Sequence, residues 1–218
     1  MRYFFFTIII FISLQSYAQQ NRIKLGFQFS QDNISGDGNL KAGPDFTFNR
    51  IERDEFNFST GLTIALLTNS NFSFQSGLIY SQKDFASSFY CPSCFYRLSI
   101  YLPPSIDIKN RFISVPFLVR FDAGGKKLNP FVEAGINNNF LLNDGDFNKT
   151  KPAFMETVIG LGLGYNIGKK LGVELKYNYR SALTVVYKDL EAWEDDDNND
   201  PNKFKTNSFQ LGLSYIIK

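Results

Sequence analysis

Eight short segments of the chain alternate apolar and polar residues with a period of two. The segment Leu171–Arg180 is typical, and its apolar or aromatic positions are Leu171, Val173, Leu175, Tyr177 and Tyr179. Because side chains alternate between the two faces of a β-strand, such a segment places one face against an apolar medium and the other against polar groups or water. The eight predicted strands are Ile23–Ser30, Phe56–Thr68, Phe72–Asp84, Arg111–Phe121, Asn129–Asn139, Phe154–Ile167, Leu171–Arg180 and Ser208–Ile217.

The connections between these strands alternate in length. Residues 31–55, 85–110 and 182–207 form long connections and residues 140–153 a medium one, whereas residues 69–71, 122–128 and 168–170 form short ones. In an up-and-down barrel, successive connections lie at opposite rims, and bacterial outer-membrane barrels have short periplasmic turns and longer outer loops. The sequence therefore predicts an all-β fold, an eight-stranded antiparallel up-and-down transmembrane β-barrel, with both termini on the periplasmic side.

The N-terminal residues have the form of a secretory signal peptide. Arg2 gives a basic start, Phe4–Leu14 is a short apolar run, and Ser16–Ala18 ends in a small-x-small cleavage pattern. We therefore expect residues 1–18 to be a signal peptide and residues 19–218 to be the barrel domain. Removing Arg2 with the peptide leaves 22 basic and 21 acidic residues (23 − 1 against 21), and this near-neutral balance argues against a nucleic-acid partner.

The predicted inward face carries charges of both signs. Its charged members are Lys24, Lys83, Arg120, Glu133, Glu156, Glu174, Lys176 and Arg180. Eight strands enclose a space just wide enough for side chains to fill, so we expect the three glutamates to pair with Arg120, Lys176 and Arg180 and to plug the lumen. Gly160, Gly162 and Gly164 would make room for the longer side chains. Pro116, which has no amide hydrogen, weakens the prediction of a regular fourth strand, and a bulge at this position would accommodate it.

The residues that carry most enzymatic chemistry are scarce. The chain contains no histidine, which excludes Ser–His catalysis and His-ligated metal sites. We expect no enzymatic activity, no catalytic residue, no metal site and no cofactor.

Cys91 and Cys94 fall in the second long connection, where a local disulfide is the simplest interpretation in an exported protein. The acidic run Glu191–Asp200 does not match a calcium-loop pattern. A solvated acidic loop is the simplest interpretation of this run, and weak binding of divalent ions at the lipopolysaccharide surface is the more specific hypothesis.

The last strand and three further segments resemble known outer-membrane proteins. Gln210, Gly212, Tyr215 and Ile217 resemble the C-terminal signal by which bacterial barrels are recognised for membrane insertion, although the chain ends with Ile217–Lys218 in place of an aromatic residue. The segments Arg111–Phe121, Asn129–Gly135 and Gly160–Tyr165 resemble the PorT-type, OmpA/OmpX-like outer-membrane β-barrel domain family. The resemblance implies contacts with outer-membrane lipid, lipopolysaccharide and the barrel-insertion machinery, and with envelope or type IX secretion proteins.

The primary hypothesis is a non-enzymatic outer-membrane barrel with a plugged interior and surface loops that contact partners. One alternative is a soluble periplasmic carrier of the lipocalin type, whose apolar face would turn inward around a ligand. A second alternative is a small porin or channel with a charged lumen. The alternation of apolar and polar residues along a strand does not show which face points into the barrel. The soluble carrier and the outer-membrane barrel therefore differ only in which face points inward.

Overall fold

The computed structural model describes residues 22–35, 40–41, 47–54, 56–68, 70–90, 105–125, 127–144, 150–186, 191–192 and 205–217. The strands are β1 (Arg22–Ser35), β2 (Leu40–Lys41), β3 (Thr47–Asp54), β4 (Asn57–Leu67), β5 (Phe72–Tyr90), β6 (Ser105–Asp122), β7 (Leu128–Asn143), β8 (Ala153–Ile167), β9 (Leu171–Ala182), β10 (Glu191–Ala192) and β11 (Lys205–Ile217). Among these residues, no helix is long and apolar enough to cross a membrane. The predicted signal peptide lies outside the described residues.

Eight of the strands close into a ring. Around the ring they follow the order β1, β4, β5, β6, β7, β8, β9 and β11, and β11 pairs with β1 again. Every neighbouring pair is antiparallel. The predicted fold, an eight-stranded antiparallel up-and-down barrel, is confirmed, and all eight predicted strands are present.

The pairing register fixes the width and tilt of the barrel. A path of directly paired residues starts at Leu25 and passes through Ile64, Ser76, Phe117, Ile136, Thr157, Ser181 and Lys205. It returns to β1 at Ser35, ten residues beyond its start (35 − 25). A stagger of this size in eight strands tilts them by roughly 40–45° and leaves an interior that side chains fill.

The apolar face of the sheet points outward. Leu161, Leu211 and Leu213 are 61%, 58% and 60% exposed, whereas Lys176 is only 4% exposed. This orientation is that of a barrel surrounded by hydrocarbon. The hypothesis of a soluble lipocalin-like carrier is therefore wrong, because such a carrier would hold its apolar face inside.

Aromatic side chains form a partial girdle on the outer surface of five neighbouring strands. Ring centres of Phe29 and Phe58 lie 6.1 Å apart, those of Phe58 and Tyr80 6.0 Å, and those of Tyr177 and Phe209 5.1 Å. Aromatic rings of outer-membrane barrels collect at the boundary between hydrocarbon and head groups. The girdle therefore marks the edge of the lipid-facing belt nearer the long connections.

The strands extend further towards the long connections than the sequence predicts. Beyond the end of β4, strand β3 takes the place of β4 beside β5, with Asp54 opposite Phe85 and Thr47 opposite Tyr90. Strand β2 pairs with β3, and β10 pairs with β2. The strands β2, β3 and β10 were not predicted, because their residues show no clear alternation and because β3 pairs with β5 and β10 with β2, which are distant from them in sequence.

Pro116 is accommodated in the strand without a bulge. It lies in β6 opposite Asn137, and the β5–β6 register is the same on both sides of it, with Ser76 opposite Phe117 and Ile79 opposite Ser114. Only the pairing with β5 is interrupted at this point, as expected for a residue without an amide hydrogen. The register shift in the β6–β7 pair falls instead between Arg111 and Phe112.

Candidate functional site in the barrel interior

A lower charged network fills the barrel near the short turns. Lys24 Nζ lies 2.7 Å from Glu174 Oε1, and Arg120 Nη1 lies 2.9 Å from Glu174 Oε2. Arg120 also donates to Asp122 Oδ1 from Nη2 at 2.8 Å and from Nε at 3.0 Å. Its guanidinium carbon lies 3.5 Å from the centre of the Phe131 ring, which adds a cation–π contact. These groups form one connected cluster.

A second ion pair lies next to this network. Lys176 Nζ donates to Glu133 Oε1 at 2.6 Å, and both side chains are almost fully buried, at 4% and 0% exposure. The glycines of β8 give these side chains their space. A Cβ atom on Gly162 would lie 2.7 Å from Lys176 Cβ, and one on Gly160 would lie 2.8 Å from Glu133 Cγ. Larger residues at these two positions would displace the pair.

An upper charged network lies towards the long connections. Arg180 Nη2 is 2.7 Å from Asp32 Oδ1, and Lys83 donates to Glu156, with neither side chain of the latter pair exposed to solvent. Asn139 Nδ2 donates to Glu156 Oε2 at 2.9 Å. Buried charges are tolerated when they are paired. In this network Arg180 is paired with Asp32 and Lys83 with Glu156, and Arg180 Nε is a buried atom without a hydrogen-bond partner among the described residues.

The structure brings the predicted charges together but exchanges some of their partners. Glu133 pairs with Lys176 and Glu174 with Arg120, whereas Glu156 pairs with Lys83 and Arg180 pairs with Asp32. Asp32 was missed because the first strand was predicted to end at Ser30. The alternation of inward polar residues along β1 continues from Ser30 to Asp32, and this signal was sufficient to find it.

A further ion pair lies at the corner where β3 replaces β4 beside β5. Arg111 Nη1 donates to Asp84 Oδ1, Gln82 Nε2 donates to Asp84 Oδ2 at 3.0 Å, and the Asn110 amide donates to Asp84 Oδ1 at 3.1 Å. Arg111 keeps 26% of its side-chain area exposed. This pair is therefore more accessible to water than the networks inside the barrel.

A small cavity lined by both polar and apolar side chains separates the two networks. Its volume is about 30 Å³, and its lining includes Gln28, Asn178 and Gln210, which are joined by hydrogen bonds from Asn178 Nδ2 to Gln210 Oε1 at 3.1 Å and from Gln210 Nε2 to Gln28 Oε1 at 2.5 Å. A cavity of this size has room for about two water molecules. It is much too small to form a continuous aqueous path.

An apolar cluster lies above the upper network, towards the long connections. Its buried members are Ile34, Phe85, Ile108, Phe112, Phe154, Ala182 and Val186. Phe112 and Phe154 pack edge to face with their ring centres 5.2 Å apart, and Lys83 Nζ lies 5.5 Å from the centre of the Phe154 ring. The cluster was not predicted, because inward apolar residues at a strand end break the simple rule of apolar outside and polar inside.

The remaining predicted site residues belong to the last strand and the long connections. In β11, Gln210 is buried and faces inward, whereas Tyr215 and Ile217 are 43% and 41% exposed on the lipid-facing side; Gly212 also lies in this strand. Cys91 and Cys94 lie outside the described residues, as does the acidic run after Ala192. Within the part of the chain that the structure describes, no group of three or more acidic or cysteine side chains is placed to hold a metal ion.

The sequence matches a known protein family. A family model described as outer membrane protein beta-barrel domain matches residues 4–216. The chain belongs to this family. No curated protein matches the chain in sequence. Its location as an outer-membrane β-barrel follows from the family and from the lipid-facing surface.

Two solved structures share the fold. Neisserial surface protein A (NspA) has 9% sequence identity and a TM-score of 0.54, with 88% of this chain and 96% of that chain covered. The outer membrane protein OprG from Pseudomonas aeruginosa has 11% identity and a TM-score of 0.52, with coverage of 90% and 95%. At these identities the likeness concerns the fold alone.

Proposed function

We propose that this protein is a closed, non-enzymatic outer-membrane barrel whose extended strands and loops contact a partner at the outer surface. The observation that supports the proposal is the filling of the interior. Two charged networks, a cavity with room for about two waters and an apolar cluster follow one another along the barrel axis. Since an ion or solute needs a continuous wet path, such an interior disfavours a channel.

Because the interior is filled, the surface available for partner contacts is the part of the sheet that extends beyond the lipid-facing belt. There β5 and β6 continue as a paired ribbon, with Phe85–Ser88 opposite Ser105–Ile108, and β3, β2 and β10 extend the same sheet. The sheet combines strands from three different long connections, and its pairing gives these connections a defined arrangement. We propose that this surface binds the partner.

The acidic character of the last long connection suggests the chemistry of the contact. Six carboxylates fall within Glu191–Asp200. Carboxylates bind divalent cations, and such cations also bind lipopolysaccharide phosphates. The proposed partners are therefore lipopolysaccharide, bridged by divalent ions, and envelope proteins with basic surfaces. Calorimetry with calcium tests the first of these, and the absence of a binding heat would remove it.

The finer family assignment leads to a more specific proposal. Some PorT-type relatives serve the type IX secretion system, and we propose an accessory role in it for this protein. From the N-terminal pattern and the alternation of connections we also propose a cleaved signal peptide at residues 1–18 and periplasmic termini. Deleting the gene and measuring the secreted proteins tests the secretion role, and N-terminal sequencing of the purified protein tests cleavage. Normal secretion in the deletion strain would contradict the accessory role.

Single-channel recording in planar lipid bilayers tests the closed interior. We expect the refolded wild-type barrel to give no steady ohmic current. A doubly substituted variant, Phe112→Ala with Lys176→Met, serves as a control that removes part of the apolar cluster and one ion pair, and thereby shows that small conductances are detected. Steady, ohmic currents from the wild-type barrel would overturn the proposal in favour of a small channel.

Binding by the outer sheet is tested by shortening it. Replacing residues 86–107 with a tight turn removes the β5–β6 ribbon, and the matched control shortens the medium connection at residues 145–149 by the same method. In cross-linking on intact cells, we expect the first variant to lose its partner and the control to keep it. Loss in both variants, or in neither, would contradict a role for the ribbon.

A further inference from the structure

The rim of the short turns carries exposed basic side chains. We define the basic rim as Arg22, Lys127, Lys169 and Lys170, all of which are exposed. Arg22 begins β1, Lys127 precedes β7, and the two neighbouring lysines form the turn between β8 and β9. These positions cover three of the four places at which the chain reaches this rim, since the turn between β4 and β5 is uncharged. The rim therefore has a continuous positive arc.

Among the described residues, no unpaired carboxylate lies at this rim to balance the charge. The acidic residue near the rim is Asp122, and its carboxylate is bound by Arg120 at 2.8 Å. Within the described part of the chain, none of the four basic-rim residues forms an ion pair. Their charges are therefore available to groups outside the protein.

Hydrogen bonds and ring contacts fix the position of the basic rim on the barrel. The Asn166 amide donates to the Lys127 carbonyl at 2.9 Å, and the Ile216 amide donates to the Lys170 carbonyl at 2.8 Å. Lys170 Nζ lies 5.8 Å from the centre of the Tyr215 ring. The turns are thus ordered parts of the barrel end, and their charges stay at one height.

That height is the edge of the lipid-facing belt. Leu128, which follows Lys127, is 54% exposed, and Ile167 and Leu171, on either side of the lysine turn, are 52% and 54% exposed. A lysine beside such residues lays its methylene chain along the apolar surface and places its ammonium group among the head groups. The basic rim therefore lies at the height of the head groups of a surrounding membrane.

We propose that the basic rim is a binding site for the phosphate groups of anionic phospholipids in the leaflet that surrounds the short turns. Clusters of lysine and arginine at a membrane surface attract anionic lipids, and the attraction grows with each added cation. The long connections do not share this character, since they hold the carboxylate-rich run Glu191–Asp200. The site would orient the barrel and hold its lower edge at a fixed depth, whatever the outer surface binds.

Electron spin resonance with spin-labelled lipids tests the proposal. The full-length barrel is refolded into phosphatidylcholine vesicles that contain either spin-labelled phosphatidylglycerol or spin-labelled phosphatidylcholine, and the fraction of motionally restricted label is measured. We expect the wild-type barrel to prefer phosphatidylglycerol by about twofold or more. The preference should fall to about one in the triple variant Lys127→Gln/Lys169→Gln/Lys170→Gln, and 1 M salt should abolish it in the wild type.

Two control variants and one added ion make the result decisive. The triple lysine-to-arginine variant keeps the charge and should keep the preference. Lys109→Gln removes an exposed lysine of β6 at the other end of the barrel and should leave it unchanged. Inorganic phosphate at 5 mM should not compete; if it removes the preference, the site takes free phosphate and the lipid assignment is wrong. An undiminished preference in the glutamine variant, or none in the wild type, would also overturn the proposal.

Discussion

Replacing Glu156 with glutamine is expected to destabilise the barrel by about 3–5 kcal/mol, the usual cost of removing one partner from a buried ion pair. Neither Glu156 nor Lys83 exposes any side-chain area, so water cannot take over the lost role of the carboxylate. Asn137 and Asn139 both donate to Glu156 Oε2, at 3.2 and 2.9 Å. If the glutamine amide group faces these donors, hydrogen bonds are lost as well, which favours the upper part of the range.

The assay is urea unfolding of the refolded barrel in phospholipid vesicles, with the free energy of unfolding obtained by linear extrapolation. A double-mutant cycle with Lys83→Met isolates the pair. We expect each single substitution to be severely destabilising and the double variant to lose much less than their sum, with a coupling energy of about 2–3 kcal/mol. The slope of the unfolding free energy against urea concentration should stay unchanged.

A matched control uses the more exposed pair of Arg111 and Asp84. Because Arg111 keeps 26% of its side-chain area exposed, Arg111→Gln should cost only about 1 kcal/mol. The reasoning about the interior would be refuted if Glu156→Gln cost no more than this control. It would also be refuted if the double variant lost the full sum of the single losses, because that result would mean that the two side chains do not interact.

Three further predictions concern packing and orientation, and each is measured by the same unfolding assay. Gly160→Ala should cost about 1–3 kcal/mol because its Cβ would lie 2.8 Å from Glu133 Cγ, whereas Gly164→Ala, whose nearest atoms lie 3.6 Å away, should stay within about 0.5 kcal/mol; equal losses would contradict the packing argument. Phe112→Ala should cost about 3–5 kcal/mol because the ring is fully buried in the apolar cluster, and a neutral result would show that the cluster is loose. Leu175→Arg should cost about 2–4 kcal/mol in vesicles if this position faces the bilayer centre; unchanged stability would mean that it does not face lipid.

At Pro116 and Asp32 the structure differs from what the local sequence indicated. Pro116 weakened the prediction of a regular strand, yet the neighbouring pairs hold the register and only local pairing with β5 is interrupted. Asp32 was placed beyond the first strand, yet pairing with β4 and β11 carries that strand on to Ser35. In both cases the ladder of neighbouring strands outweighed the local signal, because each residue of a strand in a closed barrel is held from two sides.

The sequence by itself determined the number of barrel strands, their order along the chain and which residues share a face. The period of two is a local property of each segment, and the lengths of the connections are read directly from the sequence. Neither depends on contacts between residues that are distant in sequence. The same information also identified the buried charges of β9, since Glu174, Lys176 and Arg180 all fall on the polar face.

The tertiary structure decided which face meets lipid, which charges pair and how the outer mouth is closed. A sheet that curled the other way would place the same apolar face inside the barrel. Alternation alone therefore does not show which face meets lipid. The pairing of Lys83 with Glu156 joins residues 73 positions apart, and the apolar cluster gathers residues from several strands. Such contacts depend on the ten-residue stagger of the closed ring, a quantity that exists only after the last strand has paired with the first.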